Sequence, residues 1–130
     1  RQLREALGDS PQALRDLSVS LDNIGDVDKA LGRLEQARAA YAESLGLSRQ
    51  LRGALGDSPQ VRRDLSISLA NVGDVEQALG LSRQAEVCFK ESMELAAKLA
   101  EAFPNVPQYA NDLAWVSARL KALDSGDQLD

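Results

Sequence analysis

The sequence predicts an all-α protein, a solenoid of antiparallel helix pairs with two full repeats and a C-terminal capping helix. Three observations carry this. Leu3–Gln50 aligns without gaps on Leu51–Lys98, a period of 48 residues with 27 identical positions, and a fading third copy starts at Leu99. Periods of roughly 20–50 residues mark solenoids, propellers or arrays. Within each copy, apolar residues recur three and four positions apart, which is the spacing of helices and not of strands. Leu (21) and Ala (19) dominate the 130 residues and only 4 % are aromatic, so the core must be aliphatic and the chain favours helix.

The elements follow in order. Residues 1–7 match the end of the second helix of each pair, so residues 1–9 read as the stub of an upstream repeat. The chain starts at Arg1 rather than Met and reads as cut from something longer. Ser10-Pro11 supplies a capping hydroxyl and a proline suited to the first helical turn. From there Leu14, Leu17, Leu21, Ile24, Val27 and Leu31 define helix A of the first repeat, over 11–31. Gly32 ends it, as a residue that accepts positive φ. A connection of about two residues at Gly32-Arg33 forces the next helix antiparallel. That helix B, over 34–55, carries Leu34, Ala37, Tyr41, Leu45, Leu51 and Leu55, and Gly56 closes it. Ser58-Pro59 opens the second helix A, over 59–79, with Leu65, Leu69, Val72, Val75 and Leu79 before Gly80. The second helix B spans 82–103 through Ala85, Phe89, Met93, Ala96, Leu99 and Phe103. A third helix A spans 107–123 and caps the array, and 124–130 reads as a polar tail. The repeats are therefore 10–57 and 58–105, with the cap at 106–123.

Charge and composition exclude several functions. The net charge is −5 and no run of bases exceeds Arg62-Arg63, so nucleic acid and anionic membranes are poor partners. No apolar stretch approaches the ~20 residues that span a bilayer. The absence of His removes imidazole catalysis and most zinc sites, and one Cys allows neither a disulfide nor a thiolate cluster. No cofactor or metal is expected, and no enzymatic activity. A single Cys fits a reducing compartment, so a cytoplasmic location is expected.

The chain resembles the tetratricopeptide repeat family, whose pattern runs W-x2-L-G-x2-Y, then A-x3-F, then P. Leu21-x2-Ile24-Gly25 and Leu69-x2-Val72-Gly73 occupy the first block. Ala37-x3-Tyr41 and Ala85-x3-Phe89 occupy the second, with Gly25 and Gly73 twelve residues ahead of the alanines. The small residues let helices A and B approach, and Tyr41 and Phe89 fill the gap. The departures are specific. The family repeat has 34 residues, so the extra 14 add about four helical turns. The family's stop-proline falls on Arg49 and Ala97, and its Tyr on Asp28 and Glu76, where side chains are expected in solvent. The resemblance is to a long-helix variant found as repeat arms of bacterial multidomain signalling proteins, among them large NTPases and caspase-like proteases. It implies a right-handed superhelix that senses or binds while another domain does chemistry.

The resemblance also implies a concave groove lined by the A helices. Its residues here are Val19, Asp22, Asn23, Asp26 and Lys29, then Ile67, Ala70, Asn71, Asp74 and Gln77, then Trp115, Ala118, Arg119 and Ala122. Val19, Ile67 and Trp115 form an apolar rung beside carboxylates and amides. The amides can bond an extended peptide backbone. Asp22, Asp26 and Asp74 favour a ligand bearing Lys or Arg, whereas only Lys29 and Arg119 could clamp an acidic C-terminus. The alternative is that these residues merely stay solvated or pair between helices, leaving the repeats a structural or oligomerisation arm. Asp22 and Asp26 lie four apart, but the second copy has Ala70-Asp74 and no further metal ligand. Cys88 reads as a small buried hydrophobe, and Trp115 as either a core lid or an exposed anchor. The stub cannot cover the first helix A, so an apolar edge around Leu14 and Leu17 is expected to be open to self-association. Asp16, Asp64 and Asp112 are expected to pair with Arg4 and Arg52 of the preceding helix ends.

Overall fold

The structure, a computed structural model, describes residues 10–129, with side chains through Asp124. The expected stub at 1–9 lies outside the described residues. Five helices follow in order: α1 (Pro11–Ala30), α2 (Leu34–Leu55), α3 (Pro59–Ala78), α4 (Ser82–Ala102) and α5 (Pro107–Leu129), with no strand among the described residues. The first four match the expected spans within a residue or so. The last runs on through Ser125-Gly126-Asp127 to Leu129 and not to about 123, with no proline to stop it.

The punctuation acts as expected. The hydroxyls of Ser10 and Ser58 accept from the amides of Ala13 and Val61 at 3.2 and 3.3 Å. Each satisfies one of the amides that a helix start leaves without a partner. Gly32, Gly56 and Gly80 adopt φ of 79°, 81° and 82°, the left-handed region closed to most side chains.

Consecutive helices pack on one another, and α3 also touches α5. Contacts between α1 and α2 run in opposite chain order: Leu17 clusters with Leu47 and Leu51, Ser18 bonds Ser44, and Gly25 lies under Tyr41. A Cβ on Gly25 would sit 2.5 Å from Tyr41 Cε1, and one on Gly73 2.8 Å from Phe89 Cε1. Both glycines are therefore needed for close approach. Tyr41 also packs on Val72 and Val75 of α3, so one ring joins three helices. Small hydroxyls do the same work: Ser66 and Ser92 each donate to the other's carbonyl, and Ser48 bonds Ser68 at 3.0 Å. These serines are buried and all bonded, so they allow close helix contact without an unmet polar group.

Two expectations are corrected. Leu14 and Leu17 are not an open edge; they are 3 % and 7 % exposed, covered by Leu47 and Leu51 of their own partner helix. The exposed stripe of α1 is Ile24, Val27 and Leu31. Asp28 and Glu76 are not in open solvent either. Glu76 is buried because Arg38 Nη2 reaches it at 3.1 Å and Cys88 Sγ donates to it at 3.4 Å. Asp28 is partly buried beside Arg33.

Candidate functional site

The A-helix residues named from the sequence lie on α1, α3 and α5; cavities join Val19, Asp22, Ile67, Ala70, Asn71 and Trp115, and ion pairs join Lys29, Asp74 and Arg119. Val19 and Trp115 are exposed and Ile67 is half-buried; Val19 and Ile67 line one cavity, Ile67 and Trp115 another. Two cavities flank Ile67. The first, about 160 Å³, is lined by Arg15, Ser18, Val19 and Asp22 of α1, Ser48 and Leu51 of α2, and Asp64, Ile67 and Ser68 of α3. The second, about 190 Å³, is lined by Ser66, Ile67, Ala70 and Asn71 of α3, Ser92 of α4, and Asp112, Trp115 and Val116 of α5. They correspond position by position 48 residues apart: Ser18 with Ser66, Val19 with Ile67, Asp64 with Asp112, Ile67 with Trp115.

Their chemistry differs at one position above all. Asp22 in the first cavity is Ala70 in the second. Asp22 Oδ1 is buried without a hydrogen-bond partner. Burial raises the carboxyl above its ordinary range, a hydrogen bond from Ser44 pulls it down, and the charges of Asp26 and Asp64 push it up again. The second cavity instead offers Ala70 and the face of Trp115, over which Arg119 stacks at 4.6 Å. The Trp115 ring is 41 % exposed, so it is not a core lid.

The other two carboxylates of the groove are already engaged. Asp26 accepts from the Tyr41 hydroxyl. Asp74 binds Lys29 of α1 and, at 3.6 Å, Arg119 of α5, so both cations that might clamp an acidic ligand are paired with it. Asn23 is exposed, whereas Asn71 and Gln77 are half-buried, and Asn71 lines the second cavity. Among the described residues no group of three or more Cys, Asp or Glu could hold a metal, so Asp22 and Asp26 stand without further ligands.

The expected arginine pairs are also corrected. Asp64 binds Arg15 at 3.1 Å and Asp112 binds Arg63 at 2.9 Å. The arginines therefore come from the preceding A helix. Arg52 goes to Asp57, Asp16 accepts from Gln12, and Arg4 lies outside the described residues. The repeat in Arg15-Asp16 and Arg63-Asp64 carried this signal, since an Arg one position ahead of each Asp faces the next copy. These ion pairs form the floor between neighbouring A helices, and neither they nor the serines that line both cavities were named as site residues. Cys88 is half-buried, and burial, with the charge of Glu76 and the hydrogen bond to it, pushes its thiol up to about 12.

Among the described residues no helix is long and apolar enough to cross a membrane. No family model matches the chain, and neither a curated protein nor a solved structure matches it.

Proposed function

We propose that this chain is a non-catalytic, tetratricopeptide-like solenoid segment that binds an extended peptide or protein segment along its A helices. The opposite chain order of the α1–α2 contacts and the 48-residue register of the two cavities support that arrangement. The observation that carries the binding reading is the pair of adjoining cavities with unlike chemistry. One presents the unpartnered Asp22 oxygen and accepts a Lys or Arg side chain. The other presents Trp115 and Ile67 and accepts an apolar one.

Neighbouring helices lie roughly 8–10 Å apart. An extended chain advances about 3.3 Å per residue. The two ligand side chains are then about three residues apart. The preference for a basic segment narrows from three aspartates to one, because Asp26 and Asp74 already have partners. The resemblance places such a module in bacterial signalling proteins, and the single Cys in the cytoplasm.

Display of random peptides against the immobilised chain tests this. Enriched peptides should carry Lys or Arg about three positions from an apolar residue. Asp22→Asn and Trp115→Ala should each weaken the capture of those peptides at least tenfold while helical content is unchanged. No enrichment, or enrichment that both variants retain, refutes the reading. The structural-arm reading keeps one specific observation in its favour, the exposed apolar stripe of α1.

A further inference from the structure

We propose that the outer face of α1 is the seat for one more helix of the α2 type, supplied by a further copy of the 48-residue repeat on the N-terminal side of Ser10. This is independent of the groove. The face is defined by comparing the three A helices in register. In α3, Val72 and Val75 are 5 % and 0 % exposed because Ala37 and Tyr41 of α2 cover them. In α5, Val116 and Leu123 are covered by Ala85, Phe89 and Ala96 of α4, and Leu120 packs against the same group. The corresponding positions of α1 are Ile24 (Val72, Leu120) and Val27 (Val75, Leu123), which are 52 % and 58 % exposed, and Leu31 beside them is 61 % exposed; Val116 corresponds to Ser20. Their spacing of three and four makes one continuous apolar stripe.

The two ends of the chain are chemically unlike. Where Gly25 and Gly73 receive an aromatic ring, α5 carries the exposed Lys121, and where Leu21 and Leu69 stand, it carries Ser117. On that face α5 thus carries residues suited to water, while α1 keeps the residues of an internal repeat. Solenoid ends need a polar outer face for solubility. An α1 written with Ile, Val and Leu there is written to be covered.

The occupant follows from the same register. Among the described residues the faces of α2 and α4 that fit such a stripe are already buried against α3 and α5, so a second copy of this chain offers no free α2-type face of that register. The sequence directly ahead of α1 does point to one. Residues 1–9 read RQLREALGD and residues 49–57, the end of α2 and its connection, read RQLRGALGD. Both run into Ser-Pro and the next A helix. The sequence that closes α2 at 49–57 thus recurs where the occupant of the α1 face must finish.

The test is to place a copy of residues 33–48 immediately before Arg1 of the full chain, which completes an α2-type helix in frame. Exchange of α1 amides with solvent should slow at least tenfold, and the melting temperature should rise by several degrees. Val27→Asp should remove both gains in the extended chain but shift the melting of the parent chain little. Unchanged α1 exchange in a folded extended chain overturns the proposal. So does a parent chain that sediments as a dimer and that Val27→Asp converts to monomer, since the seat then belongs to a second copy. Should the extended chain fail to fold, a synthetic peptide of residues 33–57 added to the parent chain decides. One-to-one binding lost in Val27→Asp supports the seat, and no binding overturns it.

Discussion

One substitution, Gly→Ala, should change sign along this chain according to what each missing Cβ would meet. In a helix interior Ala is favoured over Gly by about 1 kcal/mol. At Gly46 and Gly53 in α2 no atom lies within 4 Å of the new methyl, so the full gain of about 1 kcal/mol should appear at each. At Gly25 the methyl would lie 2.5, 2.7 and 2.9 Å from three atoms of the Tyr41 ring. That ring is 2 % exposed, pressed on Val72 and Val75, and held at its hydroxyl by Asp26. It has nowhere to retreat, and overpacking of this kind costs about 1–3 kcal/mol. The net effect at Gly25 is a loss of up to about 2 kcal/mol. At Gly73 the contacts to Phe89 are looser, 2.8 to 3.1 Å, and no hydroxyl tethers the ring, so the net loss is about 0–1 kcal/mol.

Urea and thermal unfolding followed by far-ultraviolet circular dichroism measure the series. For a chain of this size 1 kcal/mol moves the melting temperature by about 4 °C. Gly46→Ala and Gly25→Ala should then differ by about 4–12 °C, with the denaturant slope unchanged. If the two variants shift the midpoint alike, the close approach of α1 to Tyr41 is wrong, and with it the packing of the first repeat.

Four further outcomes are expected. Burial raises the Asp22 carboxyl, so the folded chain holds that proton more tightly than the unfolded chain and loses stability as pH rises above the ordinary value of 3.8. Asp22→Asn should therefore match the parent below that pH and exceed it at pH 7; equal stability at pH 7 contradicts the burial. With its thiol near 12, Cys88 should react with a disulfide reagent at pH 8 only as fast as the chain opens, and rapidly once denatured. Asp64→Ala breaks a partly exposed pair with Arg15 and should cost no more than about 1 kcal/mol, less in high salt. Ser48→Ala strands the buried Ser68 hydroxyl and should cost about 1–3 kcal/mol, whereas adding Ser68→Val should recover most of it by unfolding assay, because the next register already carries Ala96 and Val116 there.

The helix limits were legible because punctuation is local. Ser-Pro caps and positive-φ glycines act within a turn, and the period repeats them. Gly25 under Tyr41 was legible for the same reason, as small and large residues at a spacing that the repeat keeps. Which neighbour covers which apolar residue was not. Leu14, Leu17, Ile24, Val27 and Leu31 all belong to the apolar positions of one helix, and the period marks them alike. Only the packed helices separate the first two, covered by α2, from the last three. Charge failed differently. Asp74 read as free because its cation, Lys29, lies 45 residues earlier, and Glu76 read as solvated because Arg38 is 38 residues earlier. Pairing across repeats is set by register and side-chain reach, which a local reading does not contain.

The register also separates what the repeat conserves from what it varies. Ser18–Ser44 recurs as Ser66–Ser92, Gly25 under Tyr41 recurs as Gly73 under Phe89, and Arg15–Asp64 recurs as Arg63–Asp112. All three sit between helices, where each needs its counterpart to keep the distance. The positions free to differ face the cavities: Asp22 against Ala70, Val19 against Ile67 and Trp115. On the proposed binding reading, the constant floor fixes the helix spacing while the charge and size of what stands on it vary. Asp22 makes this sharpest, since one oxygen of its carboxyl, Oδ1, is buried without a hydrogen-bond partner, which costs stability. A repeat that tolerates such a cost at one cavity and omits it at the next has two unlike surfaces to present, and a ligand that uses both gains specificity from their difference.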